Sequence, residues 1–85
     1  MSKFIDLRQE ITDLLSEQEE LNWTDPKTPP GLSSRELSRR LTGATGLSFE
    51  RTRVYVNMNI SLMEAAGQVI RVGKKNNKYA WWELT

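Results

Sequence analysis

One stretch of the chain, residues 48–67, combines a regularly spaced apolar face with an opposite face that is largely polar, and few folds can satisfy both patterns together. Its apolar and small side chains recur at steps of three and four residues, which places them on a single face of one long helix. These inward positions are Phe49, Thr52, Val56, Ile60 and Met63. The opposite face carries Glu50, Arg51, Val54, Asn57, Met58 and Ser61, with Arg53 and Tyr55 at its margins. We therefore expect the rest of the chain to form a scaffold that holds this helix with its polar side outward.

The length and composition narrow the class of protein. With 85 residues the chain has room for one small domain. It has no cysteine and no histidine, and it shows no phosphate-binding loop and no clustered carboxylates. It also lacks a long apolar run and a signal-peptide pattern at its N-terminus. We expect a cytoplasmic, non-catalytic domain without membrane association, cofactor or metal.

The charges are divided unevenly along the chain. Residues 1–30 hold three basic and seven acidic side chains, a net charge of −4. Residues 31–85 hold nine basic and four acidic side chains, a net charge of +5. Such an asymmetry is typical of a small domain that presents one side to nucleic acid, although ordinary surface patchiness also produces it.

The periodicity predicts a first helix over residues 2–20. Its apolar stripe consists of Phe4, Leu7, Ile11, Leu14, Leu15 and Leu21. The favoured interpretation is a helix packed on the core, and the alternative is a helix that forms a dimer. The other face is acidic, so this helix should not lie on phosphates.

Residues 22–31 contain three prolines and a glycine, which predicts a loop. Trp23 lies in this segment, and we expect it to fold back on the core.

A second helix is predicted over residues 34–42. Ser33 and Glu36 have the spacing of a capping box, and Leu32 and Leu37 that of a hydrophobic staple. Gly43 is placed to end the helix, and residues 42–47 are expected to form a turn before the N-cap Ser48. Leu37 and Leu41 face inward in this interpretation. The side chains left outside are Arg35, Ser38, Arg39 and Arg40.

Residues 68–84 are predicted to form a β-hairpin around a turn at Asn76 and Asn77. This register pairs Val72 with Trp81, Arg71 with Trp82, and Val69 with Leu84. Adjacent residues of a strand point to opposite faces, so only one of the two tryptophans belongs in the core. The pattern does not decide which of them it is, and the other could cover the first helix, a partner or Arg71.

This order of elements resembles a winged helix-turn-helix domain, an α+β fold of three helices with a C-terminal hairpin wing. The resemblance is carried by residues 37–41 and 82–85, and by Val56, Ile60, Met63, Gly67 and Val69. A similarity to small bacterial fimbrial-operon regulators is carried by Leu47, Ser48, Arg53 and Tyr55. The turn after the second helix and the third helix itself are each about one helical turn longer than in the common pattern. Thr52 stands where an aliphatic residue is usual.

The resemblance implies a small transcriptional regulator whose third helix enters the major groove of double-stranded DNA. The implied base-edge readers are Arg51, Arg53, Tyr55 and Asn57, with Val54 and Met58 against thymine methyl groups. The implied phosphate contacts are Ser34, Arg35, Arg39 and Ser48. The implied wing tip is Lys74, Lys75, Asn76, Asn77 and Lys78.

Other interpretations of the same residues exist. Arg51 and Arg53 could pair with Glu50 or with the acidic first helix, and the lysine-rich hairpin tip could be a solvated turn. The same fold could also serve as a protein–protein interaction module that does not bind DNA. A regulator of this size is expected to act as a homodimer, through the first helix, or together with a cooperative partner protein.

Overall fold

The computed structural model describes residues 4–72 and 81–85. This part of the chain contains four helices: α1 (Arg8–Thr24), α2 (Ser34–Arg40), α3 (Thr42–Thr45) and α4 (Phe49–Ala65). It also contains three strands: β1 (Leu32–Ser33), β2 (Val69–Val72) and β3 (Trp81–Leu84). The strands form one antiparallel sheet in the order β1-β3-β2. The predicted α+β class is confirmed, with one short helix and one short strand more than expected.

Helix α1 begins at Arg8 rather than near residue 2, and it ends at Thr24 rather than near residue 20. Its late start has a tertiary cause. The Asn59 Oδ1 atom accepts a hydrogen bond from the Leu7 backbone N–H at 2.9 Å, and the Asn59 Nδ2 atom donates to the Ile5 carbonyl at 2.8 Å. The backbone polar groups before α1 are thus satisfied by a side chain of α4 instead of by helical hydrogen bonds.

The core interpretation of the first helix is confirmed, because Leu7, Ile11 and Leu15 are all buried. The buried face continues at Gln18, whose Nε2 atom donates to the Pro29 carbonyl at 2.7 Å. The apolar residues at the two ends of the predicted stripe, Phe4 and Leu21, are instead exposed.

The expectation for Trp23 is wrong. It lies in the last turn of α1 rather than in a loop, and 82% of its surface is exposed. The connection that contains the prolines begins only after Thr24, because α1 extends further than its apolar periodicity indicated.

Helix α2 has the predicted N-cap, since the Ser33 Oγ atom accepts a hydrogen bond from the Glu36 N–H at 3.1 Å. Leu37 and Leu41 are buried as predicted. The prediction that Ser38 lies outside is wrong, because its hydroxyl is buried and donates to the Ser34 carbonyl at 2.7 Å. A hydroxyl that bonds back along its own helix can be buried at small cost.

The predicted turn over residues 42–47 contains the short helix α3. The chain therefore does not leave helical geometry at Gly43, and the left-handed residue that ends the helical segment is Gly46, with φ 70°. The Thr45 and Thr52 hydroxyl oxygens lie 2.8 Å apart in a hydrogen bond between α3 and α4. This bond explains why a threonine occupies a buried position of α4 where an aliphatic residue was expected.

Both predicted ends of α4 are confirmed. The Ser48 Oγ atom accepts from the Arg51 N–H at 3.3 Å at the first turn. At the other end Gly67 has φ 75°, and the Gln68 N–H donates to the Met63 carbonyl at 2.8 Å. This pair of features is a Schellman motif, which directs the chain from α4 into β2.

The sheet has the predicted register, with Val69 opposite Leu84 and Val72 opposite Trp81. Trp82 is the tryptophan that belongs to the core, and its Nε1 atom donates to the Ser34 Oγ atom at 2.8 Å. Strand β1, which was not predicted, extends the sheet on the other side of β3. Strand β1 can lie this close to β3 because residue 31 is a glycine: a Cβ atom there would lie 2.3 Å from the Trp82 carbonyl oxygen.

No helix among residues 4–72 and 81–85 combines the length and the apolar character needed to cross a membrane.

Candidate nucleic-acid interface

The orientation of α4 is fixed by its buried face. Thr52, Val56, Ile60 and Met63 are buried as the spacing predicts, while Phe49 is half-buried. Helix α2 packs against this helix, and Leu37 and Leu41 lie in the same core cluster. Rotation of α4 would expose these side chains, so the face it presents to solvent is determined by the core.

Three of the predicted base readers, Arg51, Arg53 and Asn57, are exposed on that outer face. Within the described ranges the ion pairs join Arg8 to Asp6, and Arg39 and Arg40 to Glu36. The guanidinium groups of Arg51 and Arg53 take part in none of these pairs. Among the described residues, the alternative in which Glu50 or the acidic first helix neutralises them is therefore not observed.

An apolar stripe runs along the same exposed side of α4. Val54, Met58 and Leu62 follow one another at steps of four residues and are 55%, 45% and 48% exposed. Val54 and Met58 were predicted as thymine contacts, whereas Leu62 was not singled out. The stripe lies between polar side chains, so the outer face of α4 offers both hydrogen-bond donors and apolar contact.

Tyr55 lies at the margin of this face rather than in it. Its side chain is half-buried and packs against the core cluster, and its carbonyl accepts a hydrogen bond from Asn59 Nδ2 at 2.7 Å. Tyr55 therefore exposes less of its side chain to a partner than Arg51 and Arg53 do.

Helix α2 contributes a second basic surface. Arg35, Arg39 and Arg40 are exposed. The Glu36 carboxylate lies between two of them: its Oε2 atom accepts from Arg39 Nε at 3.0 Å and its Oε1 atom from Arg40 Nε at 2.9 Å. Arg39 Nη2 also donates to Oε1, so that Arg39 binds the carboxylate through two nitrogens. We call this group the Glu36 cluster.

The hydrogen bonds of the Glu36 cluster have an electrostatic consequence. The guanidiniums of Arg39 and Arg40 stabilise the ionised carboxylate and lower the pKa of Glu36 to about 2. Glu36 is thus charged throughout the physiological pH range. Its carboxylate does not reach back to cap Ser33, so the second half of the predicted capping box is not formed, because the charged donors compete successfully for it.

The two serines predicted at phosphates have structural partners. Ser34 Oγ accepts from the Trp82 indole, and Ser48 Oγ accepts from the Arg51 backbone N–H. Each hydroxyl keeps its own proton for donation.

The predicted wing-tip residues Lys74, Lys75, Asn76, Asn77 and Lys78 lie outside the described residues. The base of the hairpin is described, and Arg71 is exposed there on β2. Arg71 was considered only as a partner for tryptophan, yet it adds a cation on the strand that follows α4.

The acidic residues of α1 remain on its outer side. Glu10, Asp13, Glu17, Glu19 and Glu20 are all exposed. In the described parts of the chain none of them forms an ion pair with α2 or α4. The charge asymmetry read from the sequence therefore corresponds to different helices of the structure.

Asn59 is a buried residue that sequence reasoning missed. It is fully buried, and all of its side-chain hydrogen bonds go to backbone atoms: the Leu7 N–H and the carbonyls of Ile5 and Tyr55. Asn59 lies three residues after Val56 and four before Met63, so its spacing already indicated a position on the buried face of α4. This residue connects the segment before α1 to the inner side of α4.

Comparison of the chain with protein-family models, with curated proteins and with solved structures gives no significant match.

Proposed function

We propose that this domain is a winged helix-turn-helix that binds double-stranded DNA, with α4 in the major groove, and that it acts as a small transcriptional regulator. One observation carries the proposal. Arg51, Arg53 and Asn57 are exposed on the outer face of a helix that is capped at both ends, while the inner face of that helix is buried. A buried inner face is what a recognition helix requires, because it fixes which residues can reach the bases.

The dimensions of α4 suit the groove. Its 17 residues span about 26 Å, and a helix with side chains is about 10–12 Å wide, close to the width of the major groove. Arg51 can bind the O6 and N7 atoms of guanine, and Asn57 can bind the N6 and N7 atoms of adenine. Val54 lies between them and Met58 follows Asn57, and both supply apolar contact for thymine methyl groups.

The surrounding cations would hold the duplex without reading its sequence. Arg35 and the Glu36 cluster lie on α2, which packs against α4, and Arg71 lies on the strand that follows α4. The predicted wing lysines Lys74, Lys75 and Lys78 would extend this basic surface beyond Arg71. The acidic outer side of α1 would repel phosphates, so in this proposal α1 faces away from the duplex.

The test is a salt titration of duplex binding, preceded by selection of bound sites from random duplex DNA. A complex dominated by phosphate contacts loses affinity steeply as the salt concentration rises. Arg51→Ala should then weaken the free energy of binding to the selected site by about 1–3 kcal/mol and relax base choice at one position. Lys27→Ala is the matched control, since it removes one positive charge from an exposed position in the connection after α1.

Equal affinity of the parent and Arg51→Ala for the selected site would contradict the placement of α4 in the groove. An absence of any binding at low salt would contradict DNA binding itself.

The apolar stripe favours a second candidate function, a protein-interaction module with the same fold. Val54, Met58 and Leu62 would then contact a helix of a partner protein, since residues at steps of four form one ridge. Leu62→Ser separates the two functions. It lies at the end of α4 away from Arg51, so it should leave duplex affinity unchanged and weaken only protein association.

A further inference from the structure

The Glu36 cluster has the geometry of an anion-binding site that is already occupied by an anion of the chain itself. The Glu36 carboxylate accepts hydrogen bonds from the Arg39 Nε and Nη2 atoms and from Arg40 Nε. A DNA phosphate binds arginine through the same two-pronged pairing. We infer that Glu36 competes with the DNA backbone for Arg39 and Arg40 and so limits the sequence-independent affinity of the domain.

This inference rests on the proposed function and adds a regulatory element to it. Glu36 precedes Arg39 by three residues and Arg40 by four, so all three side chains lie on the exposed side of α2. The contact is open to solvent, because the Arg39 side chain is 67% exposed and that of Glu36 is 29% exposed. A phosphate can therefore reach Arg39 and replace the carboxylate without disturbing the core.

Among the described residues, the hydrogen bonds of the Glu36 carboxylate go to Arg39 and Arg40 and not to the N-cap. The N-cap of α2 is Ser33 Oγ, which uses the backbone N–H of Glu36 and not its side chain. Glutamine keeps the size of the residue and the same backbone N–H. Glu36→Gln should therefore fold as the parent does, while it removes the competing charge.

The size of the effect follows from counting charge. In the parent two guanidiniums share one carboxylate, and in Glu36→Gln both face the duplex without it. One additional neutralised phosphate changes the slope of log affinity against log salt by about 0.9. If the plots of log affinity against log salt for the parent and for Glu36→Gln meet near 1 M salt, the variant binds any duplex about eightfold more tightly at about 0.1 M salt.

The experiment measures the affinity of the full chain for a random-sequence duplex across a range of salt concentrations. The variants are Glu36→Gln, Arg39→Gln and the double variant, with Glu10→Gln as the control. Glu10 also lies in the first turn of its helix and is exposed, but it belongs to α1. Thermal melting followed by circular dichroism verifies that each variant is folded.

The expected result is a steeper slope and tighter binding for Glu36→Gln and parent-like behaviour for Glu10→Gln. Arg39→Gln should also weaken binding less in the parent than in the Glu36→Gln background, because Glu36 occupies Arg39 only in the parent. An equal loss in both backgrounds would show a general charge effect and overturn direct competition.

If the parent binds DNA and Glu36→Gln has the same salt slope as the parent, this inference is overturned and the proposed function still stands. A parent that does not bind DNA at low salt would overturn both.

Discussion

Replacement of Asn59 by alanine should destabilise the domain strongly, although no ligand contact is lost. The side chain is fully buried and makes three hydrogen bonds of 2.7–2.9 Å to backbone atoms. Its loss leaves the Leu7 N–H and the Ile5 carbonyl without this partner, at about 1–3 kcal/mol for a buried group left unsatisfied. The space left by the amide adds a cavity cost. We expect the free energy of unfolding to fall by about 2–4 kcal/mol.

Thermal unfolding followed by circular dichroism measures this loss. For a domain of this size 1 kcal/mol corresponds to a change in Tm of about 4–8 °C, so a loss of about 2–4 kcal/mol in Asn59→Ala should lower Tm by roughly 8–32 °C. Asn57→Ala is the matched control, because Asn57 lies two residues earlier on the same helix and is exposed. The control should change the free energy of unfolding by less than about 0.5 kcal/mol.

Asn59→Asp tests the directions of the hydrogen bonds. One carboxylate oxygen can still accept from the Leu7 N–H, but the other would face the carbonyls of Ile5 and Tyr55. Burial and these carbonyls should raise the pKa of the introduced carboxyl group. The variant should therefore be least stable at neutral pH and regain stability as the pH falls towards that pKa.

If Asn59→Ala has the same Tm as Asn57→Ala, the reasoning about the buried Asn59 hydrogen bonds is refuted.

Three further perturbations have defined outcomes. Gly31→Ala should lower the free energy of unfolding by about 1–3 kcal/mol in chemical denaturation, because its Cβ would lie 2.3 Å from the Trp82 carbonyl oxygen. Trp82→Phe removes the donor to Ser34 Oγ and should cost about 1 kcal/mol or more in the same assay. Because the pKa of Glu36 is lowered from 4.5 to about 2, its contribution to stability is present above pH 4.5 and lost as the pH falls towards 2. Glu36→Gln should lack this part of the acid dependence.

Several predictions that depend on near neighbours in the chain were confirmed, although Gly43 does not end the helical segment and Ser38 does not lie outside. The caps Ser33 and Ser48 and the Schellman glycine Gly67 use partners within five residues, so the sequence specifies them directly. The hairpin register follows from alternation, which leaves one arrangement that buries Val69. The face of α4 follows from its periodicity, and it includes every candidate base reader except the half-buried Tyr55.

Several departures from the predictions come from contacts between distant parts of the chain. The start of α1 depends on Asn59, which lies 52 residues from Leu7. Gln18 is buried because Pro29 offers its carbonyl, and strand β1 exists because β3 provides its hydrogen-bond partners. Polar residues in such places look like surface residues in a sequence, since the pattern of one segment does not contain the partner that satisfies them.

The amino-acid sequence by itself determined the α+β class, the two faces of the long helix, its caps and the pairing of the hairpin. Those features depend on side-chain period and on short-range hydrogen bonds, which are fixed by neighbours along the chain. Only the tertiary structure decided that Trp82 lies in the core, that Trp23 is exposed and that Asn59 bonds the backbone before α1. Each of these depends on which surfaces meet in space, because burial and long-range hydrogen bonding are properties of the packed domain and not of one segment.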